Sequence, residues 1–310
     1  MKTLGQAVGD YLSLPRGLGF KLKKHEPCLR EFVGFLKKKG SDRITTRLAL
    51  QFATQHRRQQ PAEWAARLSV VRGFARYRSG DDLATEIPLL GLLPYRPMRA
   101  RPYLYSEEEI RQLLKAARNL PSTYSLKPWT YYCLFGLLAV TGVRISEALN
   151  LQAQDVDWRE GVLTIHGTKF GKSRLVPLHS STRKVLLAYA KRRDRYFEGE
   201  LISHFFVSSR GTRLDGGHVR RTFYSLSRQI GLRDAIASHG PRLHDFRHRF
   251  AVEALVRWYR KGEDVERRLP ILSTYLGHGH VTDTYWYLTS TPELLGAAGK
   301  RMEKRWGGLL

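Results

Sequence analysis

Apolar residues recur at intervals of three and four over the first eighty positions, as at Leu29, Phe32, Val33 and Leu36, and at Trp64, Leu68, Val71, Phe74 and Ala75. That spacing puts each set on one face of an α-helix, so residues 4–80 are expected to be mainly helical. Lys37, Lys38, Lys39, Arg57 and Arg58 interleave with the stripes. One face can then pack while another meets solvent or an anion. Over residues 87–103 the periodicity stops. Pro88, Pro94, Pro97 and Pro102, with Arg96, Arg99 and Arg101, form the pattern of an extended basic linker. A helix start follows, with Ser106 as N-cap, Glu107, Glu108 and Glu109 in the first turn, then Ile110, Leu113 and Leu114. The pattern predicts a helical domain over 1–87, a linker over 88–103 and a second domain over 104–310, ending in a tail over 288–310.

In the second domain the apolar run 131–140 is about half the length that a membrane span requires, so it is expected to be a buried core helix. Val162–Ile165 and 175–178 flank a Gly/Lys turn, a β-hairpin pattern. Stripes at Phe223, Leu226 and Ile230, and at Phe246, Phe250, Val252 and Leu255, predict further helices. The expected fold class is α+β: mainly α with a small β-sheet or hairpin.

Charge narrows the function. The 310 residues carry 53 Lys and Arg against 28 Asp and Glu, a net +25. Residues 1–101 hold 20 of those bases against 8 acids, so the excess lies in both domains and not in a tail. Such a surface attracts polyanions, and for a globular chain the usual polyanion is nucleic acid. A solvated basic surface without a specific partner is the plainer alternative. The only cysteines, Cys28 and Cys133, have no metal-ligand spacing, which argues against a disulfide scaffold or zinc finger and fits a reducing compartment. The N-terminus lacks the apolar core of a signal peptide. A cytoplasmic location is expected, with no membrane partner.

Four clusters carry residue types suited to phosphoryl transfer. In TGVRISE, a glycine and then Arg144 open a helical stripe beside the apolar run; a guanidinium fork suits two phosphoryl oxygens, though Arg144 could equally pair with Glu147 on a surface. The hairpin turn offers Lys169 and Lys172, either of which could donate a proton to a leaving oxygen. In HDFRH, His244 and Arg247 share a helix face. His244 and His248 also have the spacing of a zinc-binding HExxH helix, but Asp245 replaces the Glu, and Arg242, Arg247 and Arg249 oppose a dication. Finally YLGH, ending at His278, precedes Asp283, Thr284, Tyr285, Trp286 and Tyr287. A tyrosine is a poor nucleophile at neutral pH, because its pKa is about 10, unless cations and hydrogen bonds activate it.

Taken in order, these clusters resemble the tyrosine recombinase (phage integrase-like) family over essentially the full chain. That family runs Arg, Lys, His-x-x-Arg, Leu-Gly-His, then Tyr nine residues after the last His. The matches are Arg144, Lys169, His244, Arg247, His278 and Tyr287. The family places its lysine just before the turn, which favours Lys169 over Lys172, and the spacing excludes Tyr285. Many relatives have two threonines before the nucleophile and a His two residues after it, where this chain has Asp283-Thr284 and Thr289.

The resemblance implies a helical N-terminal DNA-binding domain and a catalytic domain. Tyr287 would attack a phosphodiester to give a 3′-phosphotyrosyl link and a free 5′-hydroxyl. Arg144 and Arg247 would neutralise the non-bridging oxygens, Lys169 would protonate the leaving oxygen, His244 would accept the phenol proton, and His278 would hydrogen-bond the phosphate. Glu147 would orient His244 or Arg144. No cofactor or metal is implied. The partner is double-stranded DNA, held by a clamp of the two domains with an affinity that falls steeply with salt. The active unit is a homotetramer on two DNA sites, passing through a four-way junction. The tail, with Leu294, Leu295 and Trp306, would dock on a neighbouring subunit or pack on its own domain. A type IB topoisomerase, which would relax supercoils without exchanging strands, and a non-catalytic DNA-binding protein of the same fold are the competing readings.

Overall fold

A computed structural model describes all residues except 1, 21, 23, 57–59, 94–101, 123–125, 168–172, 238, 290–293, 297, 301–302 and 304–310. Lys169, Lys172, Arg57, Arg58, Trp306 and the linker residues Pro94, Arg96, Pro97, Arg99 and Arg101 therefore lie outside the described residues. The chain divides into two compact units, Met1–Ala100 and Arg101–Leu310.

The first unit holds four helices: α1 (Leu4–Gly17), α2 (His25–Lys38), α3 (Thr46–Thr54) and α4 (Pro61–Arg78). Thr3 and Gln6 form a capping box that opens α1, and Pro61 occupies the first turn of α4, where its missing N–H costs nothing. The stripe seen in the sequence becomes the core: Leu29, Phe32 and Leu36 of α2 are buried with Phe52 of α3 and Val71 and Phe74 of α4. Each such side chain contributes about 1.5–3 kcal/mol on leaving water.

The second unit is mainly helical with one small sheet. Its elements are α5 (Glu107–Arg118), α6 (Leu126–Thr141), α7 (Ile145–Asn150), β1 (Val156–Asp157), β2 (Val162–Ile165), β3 (Arg174–Pro177), α8 (Ser180–Tyr196), α9 (Gly216–Gln229), α10 (Asp245–Arg260), α11 (Val265–Leu276) and α12 (Thr282–Tyr285), followed by a 3-10 turn, Trp286–Thr289. The expected capping box starts α5: Ser106 and Glu109 exchange hydrogen bonds with each other's backbone. The apolar run is the centre of α6, which is apolar on nearly every side and buries Tyr131, Leu134, Phe135, Leu137 and Leu138. No helix among the described residues is long and apolar enough to cross a membrane.

The sheet is an antiparallel meander, β1-β2-β3, with Leu163 opposite Val176 and Ile165 opposite Arg174. Leu163, Ile165 and Val176 face the core, and this alternation fixes the register. The second strand starts at Arg174, one residue before the expected 175–178. Helices α8 and α11 were not marked by apolar stripes. Buried Arg193 interrupts one face, held by Asp194 and the Phe205 carbonyl. Pro270 and buried Ser273 interrupt the other. A separate cluster of Ala251, Leu255, Leu269, Leu272 and Leu276 packs α10 against α11, and Tyr287 and Leu294 belong to it.

Candidate active site

Helix α6 ends at Thr141, and the chain turns at Gly142, which has φ +63° and lies so close to Phe250 that a Cβ would come within 2.9 Å of its ring. This turn delivers Arg144 to the start of α7. The Arg144 backbone N–H donates to Glu147 Oε2 at 2.9 Å, its Nη1 donates to Glu147 Oε1 at 2.7 Å, and its Nη2 donates to the Gly277 carbonyl at 2.8 Å. Glu147 has a second guanidinium partner: Arg174 donates through Nη1 at 3.0 Å and Nη2 at 2.7 Å, and its Nε reaches the Tyr275 carbonyl at 2.7 Å. Burial pushes the Glu147 carboxyl up. The Arg174 hydrogen bonds, the Arg144 backbone and the nearby charges outweigh it and hold the pKa at about 2.

Helix α10 supplies the next pair. His244 precedes its first residue and keeps an edge in solvent. Protein packed around the ring, and then the Arg247 charge, lower its pKa. Arg247 is only 2% exposed. It donates to the Gly142 carbonyl at 3.0 Å and to the Leu276 carbonyl, and its charge interacts with Tyr287 nearby. Burial, followed by the Arg144 charge, brings its pKa down to about 10, so it stays a cation at neutral pH.

Tyr287 is 3% exposed. Its ring lies nearly parallel to that of His278, with centroids 6.0 Å apart, and His248 approaches at 5.4 Å. Tyr285, two positions earlier, is 49% exposed. His278 follows the left-handed Gly277 that ends α11, and its Nδ1 lies 2.8 Å from Oγ1 of the buried Thr284. A Cβ at position 277 would meet Arg174 Nη1 at 2.8 Å. Gly277→Ala is therefore expected to cost about 1–2 kcal/mol for the left-handed backbone alone, and more for the displaced guanidinium. A urea melt checks the sum.

Burial, then the charges of Arg247 and Arg144, lower the His278 pKa from 6.5 to about 4. Between those values the unfolded chain binds the proton and the folded chain does not. The stability that this group contributes is full above pH 6.5 and is lost as the pH falls to 4. The thermal midpoint of the DNA-free protein should drop across that window, and His278→Gln should flatten the slope; an unchanged slope would refute the assignment.

Arg144 pairs directly with Glu147 and reaches the turn before His278, the His278 ring and the Arg247 charge lie beside Tyr287, and His244 reaches Tyr287 through His248, whose ring is 4.8 Å from its own. Among the described residues, no group of three or more His, Cys, Asp or Glu could hold a metal ion. Arg174, His248 and Thr284 also build the site and were not marked as site residues by the sequence. Nothing in the local pattern distinguishes Arg174 from other surface bases, whereas Thr284 stands in the run before Tyr287. Of the tail, Leu294 is buried on its own domain beside Tyr287, and Leu295 is exposed.

The phage integrase family model matches residues 104–293. The whole chain is similar to a putative integrase/recombinase of Sinorhizobium fredii, y4rB, with 57% identity over 310 residues that cover 99% of each chain. It is also similar to the tyrosine recombinase XerD of Mycobacterium tuberculosis, with 27% identity over 313 residues covering 95% of this chain and 96% of that one. Among solved structures, the Tn1549 transposon integrase in complex with transposon right end DNA matches with a TM-score of 0.67 at 16% identity, covering 98% of this chain and 99% of the other. A lambda integrase dimer bound to a COC′ core site matches at 0.62 and 18%, covering 94% and 97%. These two show the shared fold.

Proposed function

From the premise that the chain belongs to the phage integrase family, the tyrosine recombinases, we propose that it is a site-specific DNA strand-exchange enzyme whose nucleophile is Tyr287. The observation that carries the reading is the convergence of the Arg247 charge and the His278 and His248 rings on the buried Tyr287, with Arg144 held to the Gly277 carbonyl next to His278. Cations gathered there favour the extra negative charge of a five-coordinate phosphorus.

The step balances within the chain. The phenolic oxygen of Tyr287 bonds to phosphorus while the bond from phosphorus to the 5′-oxygen breaks. His244 accepts the phenol proton; its lowered pKa keeps the ring neutral and able to do so at neutral pH. Lys169, assigned from the family pattern, gives a proton to the 5′-oxygen. Arg144 and Arg247 take the non-bridging oxygens, and His278 donates to one of them. Attack by a 5′-hydroxyl from a second duplex reverses the step and exchanges strands, in a homotetramer on two double-stranded sites. The net charge of +25 supports a partner with a phosphate backbone.

The test uses duplexes from the DNA flanking the gene, nicked close to the candidate cut so that the short 5′-hydroxyl fragment diffuses away. The expected product is a protein–DNA adduct that survives denaturation, with the peptide of Tyr287 attached to a 3′-phosphate. Joining between two duplexes separates strand exchange from simple relaxation. Absence of any adduct on every flanking site overturns the proposal.

A further inference from the structure

Arg174 is a buried guanidinium for which the reaction written above has no use. Its side chain is 8% exposed, against 26% for Arg144. Its three nitrogens are all committed: Nε to the Tyr275 carbonyl, Nη1 and Nη2 to the two oxygens of Glu147.

The consequence lies in the Glu147 carboxylate. It accepts four hydrogen bonds, two from Arg144 and two from Arg174, and two carboxylate oxygens offer about four acceptor sites. A carboxylate beside a lone arginine prefers a two-pronged pair with that arginine. Here Arg174 occupies half of the acceptor sites, so Glu147 holds the Arg144 guanidinium through a single nitrogen, Nη1; Nη2 rests on the Gly277 carbonyl, and the Nε edge is left open. The charge follows the same logic. One carboxylate against Arg144 alone would cancel its charge, whereas Arg174 supplies a second cation, so that the Arg144 charge adds to that of Arg247.

The same planar group sets the neighbouring turn. By holding the Tyr275 carbonyl and lying under Gly277, Arg174 fixes the end of α11. The Gly277 carbonyl from that turn receives Arg144 Nη2, and His278 comes next. Resting on the proposed function, we infer that Arg174 is a positioning residue: by saturating Glu147 and bracing the Gly277 turn, it keeps one edge of the Arg144 guanidinium open and aimed for the scissile phosphate. A lysine carries the charge but not the planar fork, so Arg174→Lys should fall between the wild type and a neutral variant.

The experiment compares single-turnover cleavage of the nicked duplex by wild type, Arg174→Met, Arg174→Lys and the double variant Arg174→Met/Glu147→Gln. Each is assayed with an ordinary scissile phosphate and with a methylphosphonate, which lacks the negative charge that Arg144 serves. Arg174→Met is expected to lose roughly 100-fold on the phosphate, the loss typical of one misplaced charge-stabilising donor, with duplex affinity unchanged. On the methylphosphonate the loss should shrink to a few-fold. Glu147→Gln in the same chain should restore about 10-fold, because a neutral amide no longer sequesters Arg144. Equal losses on both substrates, or no recovery in the double variant, overturn the inference and leave a role in folding alone. If Arg174→Met does not fold by circular dichroism, Arg174→Lys and the double variant carry the same comparison. Failure of the proposed function is distinct, since the wild type would then form no Tyr287 adduct on the phosphate substrate.

Discussion

Replacing Tyr287 by Phe is expected to abolish the covalent adduct, a loss on the order of 10⁴-fold or more in cleavage, as for removal of the nucleophile in other covalent catalysts. The change deletes one oxygen and keeps the ring that stacks on His278 and packs in the cluster with Leu276 and Leu294. The fold should persist. DNA affinity, set by many basic side chains, should stay within a few-fold. Tyr285→Phe is the control and should cleave like the wild type. Adduct formation by Tyr287→Phe, or its loss in Tyr285→Phe, would reassign the nucleophile.

Arg247 is expected to give the second large effect, on chemistry and stability together. Arg247→Ala leaves the Gly142 and Leu276 carbonyls without their donor and opens a cavity where α10 meets the turn after α6. Unsatisfied buried acceptors cost about 1–3 kcal/mol each, so a loss of roughly 2–5 kcal/mol is expected in denaturant melts. Cleavage should fall by about 10²–10³-fold or more in the folded fraction, because in the proposed reaction this cation stabilises charge on the phosphate. Arg247→Lys separates the two roles. A lysine can reach one carbonyl but cannot span both with a planar fork. Its melt should recover more than its cleavage rate does. A Lys variant that cleaves normally would show that the guanidinium geometry is irrelevant.

Parts of this arrangement were legible because they depend on neighbours in the chain. Ser106 and Glu109 start α5 through contacts three residues apart, and the stripe on α2 needs only the helical period. The hairpin followed from two short apolar runs flanking a Gly/Lys turn, with its second strand one residue early because Arg174 pairs with Ile165 as part of the ladder. The pairing of Arg144 with Glu147 is also local, three residues apart. By contrast, α8 and α11 hid behind buried polar residues, whose burial is satisfied by partners that no period reveals.

The sequence by itself determined the order of the reactive residue types, the excess of positive charge, the caps and the apolar faces, since each is set by bonds and side-chain spacings within a few residues. Only the tertiary structure decided which groups meet: Arg174 with Tyr275 across 101 positions, Arg247 with Gly142 across 105, Arg144 with Gly277 across 133. A guanidinium in water has no preferred acceptor. It acquires one when packing removes the water and the carbonyls and carboxylates left beside it must be paired.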